Sequence, residues 1–182
     1  MRYPQVHMHG PEHHYIVPAV LLTAYYNLRG TRTRKEQALN EAEKRARNVL
    51  GGFCGFYGDC GAAVGTGIFM SIITKATPLS RREWRLSNLM TAQSLHSIAL
   101  RGGPRCCKRN TTLALLEAVA FLREQCGISL PVSEPLTCEF SPLNKECLHA
   151  DCPFYEDASD PIPLDQSCGN APRPHAQGKR LN

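Results

Sequence analysis

Three groups of cysteines carry most of the chemistry this sequence can offer. Cys54 and Cys60 stand in FCGFYGDCG, Cys106 and Cys107 in GGPRCCKRN, and Cys138, Cys147 and Cys152 in CEFSPLNKECLHADCP. Thiolates ligate soft metals and clusters, and a helix N-terminus or a nearby cation lowers the pKa of the thiol that must ionise. Cys60 precedes one helical stretch; Cys106 and Cys107 precede another, with Arg105, Lys108 and Arg109 beside them. Lowered thiol pKa values are therefore expected at both turns. Four thiolates drawn from Cys54, Cys60, Cys106 and Cys107 suit a [4Fe–4S] cluster or zinc. Adjacent ligands are unusual for structural zinc, and glycine-rich turns free backbone N–H groups for sulfide, so the spacing favours an iron–sulfur cluster with zinc as the alternative. The plain reading is that these are reduced cysteines that only pack.

In the third group, three cysteines with His149 would make a Cys3His zinc site, and three cysteines alone would leave one iron of a cluster open. His149 can equally face solvent. Spacing does not choose the metal, but a bound ion would explain how a segment with little apolar periodicity stays folded. The remaining cysteines are Cys126, expected in the core, and Cys168, to which no role is assigned. A second kind of chemistry lies in HMHGPEHH, where His9, Glu12 and His13 could move protons near neutral pH. The alternative is a helix start with solvated histidines, which suits His7 best.

These groups must be held by helices. Five can be read: about Pro11–Leu28, kinked at Pro18; about Arg34–Leu50, with Thr33 and Glu36 as a capping box; Cys60 to about Lys75, capped by Asp59; about Arg81–Leu100, with Ser80 and Glu83 as a second box; and Asn110 to Gln125, stopped by Gly127. The second helix has a single apolar stripe and belongs on the outside. The fourth carries apolar residues on two sides, Leu86 and Met90 on one and Trp84, Leu95 and Ile98 on the other, and reads as interior. Gly61 and Gly65, four apart, permit close approach of another backbone. The expected architecture is mainly α: a bundle of about five helices over residues 1–128, a small cysteine-rich metal-binding module over 129–156, and a mobile tail over 157–182.

Composition narrows the function classes. The chain has 182 residues and a net charge of +5, from 21 basic and 16 acidic residues. The basic residues are scattered and the aromatics, 7% of the chain, do not interleave with them, so nucleic acid is not an expected partner. The longest apolar run, residues 62–73, is too short to span a bilayer. The N-terminal residues lack the form of a secretory signal. Nine cysteines, an odd number, suit reduced thiols in a cytoplasmic setting better than a disulfide framework. GAAVGTG lacks the lysine and hydroxyl of a phosphate loop and is rejected as one.

Taken together, HGPEHHYIVPAVLLTAYYN, GGFCGFYGDCGAAVGTGIFMSIITKATPLS, GGPRCCKRNT and the closing C…NKEC…CPFY resemble a family of small, cysteine-rich prokaryotic proteins of unknown function. The resemblance covers nearly residues 8–155. It implies a domain that occurs alone or attached to radical S-adenosylmethionine proteins and methyltransferases, chiefly in anaerobes, so such an enzyme is an implied partner. In style only, the cysteine-bearing glycine turn is also similar to iron–sulfur serine dehydratases and cysteine desulfidases, whose clusters are held by three cysteines and leave an iron for substrate; no ligand transfers by position. Two function classes follow. One is an enzyme with an open metal position beside an acid–base residue. The other is a fully ligated cluster carrier or zinc-held interaction module.

Overall fold

The computed structural model describes residues 2–133 and 135–156; the segment read as a tail, with Cys168, lies outside them. Six α-helices occur in the order α1 (Glu12–Leu28), α2 (Arg32–Ala46), α3 (Phe53–Phe56), α4 (Gly61–Thr74), α5 (Arg82–Ala99) and α6 (Cys107–Cys126). Two single 3-10 turns, Ser141–Leu143 and His149–Asp151, follow, and no strand occurs among the described residues.

The reason α4 lies at the centre is its composition. GAAVGTGIFMSIIT contains no charged residue, so the helix has no face that prefers water. It packs against α1, α2, α5 and α6. Small residues set how near those neighbours come. A Cβ at Gly61 would strike the His14 ring of α1, and one at Gly65 would lie 2.9 Å from Pro18 Cδ and 3.0 Å from Val17 Cβ. The Gly61/Gly65 pair thus admits the α1 backbone, as the sequence implied. Gly67 does the same for α5, meeting Ser87 O and the Thr91 hydroxyl. The fully buried Phe69, Phe121, Leu22 and Met90 fill the space between the helices. Each such side chain stabilises the fold by roughly 1.5–3 kcal/mol through area removed from water.

Several element boundaries differ from the sequence reading. The second helix starts at Arg32 and ends at Ala46, so Thr33 is inside it and no capping box forms. Ser80 bonds Thr77 instead of capping α5: its hydroxyl accepts from the Thr77 amide at 2.6 Å. Cys60, not Asp59, is the N-cap residue of α4. α6 begins three residues early, at Cys107, with Cys106 as its cap. α5 buries one stripe, Leu86, Met90, Ser94 and Ile98, whereas Trp84 is 51% exposed; the helix is a flank rather than an interior rod. Residues 129–156 are not coreless either. Leu130, Cys152 and Phe154 join the main apolar cluster, because the segment folds back on α6 and closes with a Cys138 N–H to Phe154 C=O bond of 2.6 Å. Among the described residues, no helix is long and apolar enough to cross a membrane.

Candidate functional site

The first turn of α6 is the hub. Lys108, Arg109, Asn110 and Thr111 are all buried there, four polar residues in succession. A helix start that buries its polar side chains must find partners for them. The Arg109 guanidinium donates to Gly102 O at 2.8 Å and Pro104 O at 3.0 Å, which ties down the GGPR turn. The Asn110 amide donates to Cys60 Sγ at 3.5 Å. Asn110 Oδ1, Arg109 Nε and His9 Nδ1 are buried without a hydrogen-bond partner.

The two adjacent cysteines at this turn face different company. Cys107 accepts a hydrogen bond from the Gly10 amide and feels the charges of Cys60 and Cys54. Cys106 caps α6, its sulfur accepting from the Arg109 amide at 3.5 Å, and acts on Cys138 and Cys152. Successive residues on a helix start point about 100° apart, since 3.6 residues make a turn. One turn of backbone therefore serves two thiol groups: Cys54, Cys60 and Cys107 on one side, Cys106 with the module cysteines on the other.

Beside the first group lies a cleft of about 590 Å³ between α3, the end of α5 and the GGPR turn. Cys54, Cys60, Arg105 and Asn110 line it, together with Gly55, Gly58, Gly102 and Gly103. A Cβ at any of these four glycines would meet no heavy atom within 4 Å, so each keeps open a space that a side chain would occupy. On the rim, Phe56 is 87% and Tyr57 74% exposed.

Thiol acidity runs opposite to the expectation at Cys107. Burial pushes that thiol up, and the Cys60 and Cys54 charges push the same way; the Gly10 amide and Arg105 oppose but do not prevail. Burial likewise raises Cys138 and Cys152 against amide donors. Proximity to a helix start is weaker here than removal from water. Among the described residues the cysteines are free thiols, and no three His, Cys, Asp or Glu side chains stand in metal-ligating geometry. Two thiols, Cys54 and Cys60, line the cleft with glycine backbone and Asn110, and Cys107 is near enough to act on them.

The N-terminal histidines are sorted by their partners. His13 is 1% exposed; its Nε2 donates to His7 O at 3.1 Å, and its Nδ1 lies 3.3 Å from the Thr111 hydroxyl. Burial lowers its pKa, and Lys108 adds to this, so His13 is a neutral core group with both nitrogens engaged. Burial would raise Glu12, but amide donors at its own position and at His7, with the His7 ring, bring it below the usual carboxylate range. His9 differs. Its Nε2 lies 3.1 Å from Asn144 Oδ1 and 3.5 Å from the Glu146 carboxylate, leaving Nδ1 as the orphan. None of the three lines the cleft; they hold the segment whose Gly10 amide reaches Cys107. His149 sits with its ring edge-on to Tyr155, centroids 5.5 Å apart.

Sequence reasoning missed Asn110, the burial of Arg109 and its hold on the GGPR turn, and the division of Cys106 from Cys107. The signal available was the helix start itself: placed at Cys107 rather than Asn110, it would have turned CKRN inward. Residues 1–155 match a described family, a family of unknown function. No curated protein and no solved structure matches the chain.

Proposed function

The chain belongs to DUF5714, a family of unknown function, and from that premise we propose that it is a cysteine-ligated metal protein of the iron–sulfur type, with its working site at the glycine-rich cleft that Cys54 and Cys60 line, and Cys107 as the third thiol of the set. The observation that carries this reading is the gathering of three thiols from two distant turns beside a cleft with a buried, unpartnered Asn110 oxygen. Three protein thiolates rather than four leave one position for a substrate, the arrangement of a catalytic rather than a structural site. When bound, such a cluster would supply a Lewis-acidic iron or a one-electron redox centre.

The chain's own residues would do the rest. Arg105 at the cleft wall attracts a small anionic molecule, such as a carboxylate or a sulfur-bearing acid. Asn110 holds Cys60 through its amide. His9 stands one residue from the Gly10 amide that touches Cys107 and would help to position it. The wider setting proposed is anaerobic sulfur or radical S-adenosylmethionine-linked chemistry, with a radical enzyme or methyltransferase as partner, in the cytoplasm. A second reading, cluster transfer to such a partner without catalysis, is favoured by the exposed Phe56 and Tyr57 on the Cys54 turn.

The test is anaerobic reconstitution with ferrous iron and sulfide, followed by iron and sulfide analysis and absorption spectroscopy of the wild type and the Cys54→Ser, Cys60→Ser and Cys107→Ser variants. Bound iron and sulfide lost in all three variants supports the reading. Iron and sulfide that never bind, or that bind equally in the variants, overturns it.

A further inference from the structure

We propose that the cavity between the first turns of α6 and the returning segment 136–154 binds a small organic monocarboxylate, its head held by Arg109 and Lys108 and its apolar tail by Leu136, Phe140 and Phe154. The site is independent of the cleft reading. Arg109 and Lys108 are each 3% exposed. A charge removed from water needs a counter-charge or complete hydrogen bonding. Arg109 has neither. Its Nη2 donates to two neutral carbonyls, Gly102 O at 2.8 Å and Pro104 O at 3.0 Å, while its Nε–H is buried with no partner. Among the described residues, no carboxylate stands within ion-pair distance of it.

Both cations belong to the wall of one cavity of about 180 Å³. The Arg109 charge reaches Cys152 and the Lys108 charge reaches Cys138, two thiols of that same wall. Lys108 is braced over the Phe140 ring, its Nζ 4.7 Å from the centroid. It also feels the Glu12 carboxylate, which the His7 amide and ring already engage. Among the described residues, no Asp or Glu lines the cavity. An anion entering it therefore meets two positive charges and no carboxylate of the protein.

The remaining walls select the class of anion. Leu136, Phe140 and Phe154 are apolar, and the Thr112 hydroxyl already donates to Lys108 O at 3.1 Å. A phosphate or sulfate would turn oxygens toward side chains that cannot bond them. A carboxylate has two oxygens: one accepts from Arg109 Nε–H, the other faces Lys108, and a short hydrocarbon tail lies against the apolar side chains. The volume falls below the roughly 300–1,000 Å³ of sites for drug-sized ligands, which fits a molecule of a few carbons rather than a nucleotide.

The experiment titrates the full chain with butyrate at constant ionic strength, followed by calorimetry, with 1-butanol and inorganic phosphate as comparison probes. The occupied site is mapped by the rate of iodoacetamide labelling at each cysteine, read by mass spectrometry. Saturable uptake of one butyrate is expected, with both comparison probes at least ~10-fold weaker, the loss expected for a hydrogen bond to a charged group. Butyrate should slow labelling of Cys138 and leave that of Cys54 unchanged. Lys108→Met, which keeps an apolar stem over Phe140, should weaken butyrate by at least ~10-fold, and Arg109→Met should abolish its binding. Should the Arg109 variant not fold, Lys108→Met and the Cys138 labelling rate in the wild type decide. No saturable uptake overturns the assignment, as does full affinity in Lys108→Met. Equal binding of 1-butanol, which would make the cavity merely apolar, or of phosphate also overturns it. So does protection of Cys54 in place of Cys138, which would move the anion to the Arg105 cleft.

Discussion

The two thiol groups at the head of α6 are built on opposite plans. The cleft group borrows its order from elsewhere: Asn110 holds Cys60 and Gly10 holds Cys107, each from another element. The module group is ordered locally, each sulfur bonded by an amide two or three residues along its own chain. Long-range positioning beside an open, side-chain-free space suits a site that must admit something. Local positioning suits thiols that belong to the shape of one segment, and only Cys138 and Cys152 of them reach the small cavity against α6. The contrast teaches that cysteine spacing does not reveal which thiols the fold brings together.

The sharpest way to break the comparison is to exchange its members. Cys107→Ser should lower iron and sulfide content after reconstitution by at least ~100-fold, beyond the upper range for outer-shell losses, and leave the 135–156 segment protected from hydrogen exchange. Cys106→Ser should do the reverse. Equal loss from both variants would mean one shared centre. Next in size is the scaffold common to both groups. Phe69→Ala, at the fully buried centre of α4, should cost ~3–5 kcal/mol by urea unfolding; a smaller cost would mean that the bundle relaxes around α4 and positions neither group firmly.

A finer instrument is Asn110→Leu. It removes the orphaned oxygen and the bond to Cys60 together. Burying an unsatisfied acceptor costs about 1–3 kcal/mol, so stability should hold or rise, while iron retention falls. Falling stability with unchanged iron would make Asn110 purely structural. The pH dependence sharpens the pair further. His13 has a lowered folded pKa, through burial; its contribution is present above the ordinary histidine value of 6.5 and is lost as pH falls through the lowered one. The buried thiols have raised values, so without metal their contribution is complete below the ordinary value of 9.0 and lost above it. Urea midpoints should therefore fall at both ends, and His13→Gln should flatten only the acid limb. The smallest effect is at the exposed Arg2–Glu139 pair, which joins the N-terminal segment to the module: Arg2→Ala should change stability by under ~1 kcal/mol.

The helical class, the glycine-rich helix and the close approach that Gly61 and Gly65 permit were legible because composition and four-residue spacing act locally; that the partner is α1, and that this helix rather than α5 is central, were not. GAAVGTGIFMSIIT can hardly be anything but buried. The two capping boxes were misread because a hydroxyl has several backbone partners within reach, and Ser80 satisfied the Thr77 turn instead. At α6, Lys108 and Arg109 read in sequence as cations beside the thiols, with nothing to mark them as buried, yet the chain returning over residues 136–154 covers them. Burial by a distant segment leaves no periodic trace. Thiol acidity was missed for the same reason: neighbouring cations are visible in sequence, whereas the water that folding removes is not.

Gly61 presses α4 directly against the His14 ring, one residue beyond Cys60. Enlarging that glycine should push the head of α4 away from α1 and carry the neighbouring sulfur with it. The contact thus works as a spacer between the wall bearing Gly10 and the wall bearing Cys60. A bulkier residue there would be felt first as a change in the gap between two sulfurs, and only afterwards as a change in melting temperature.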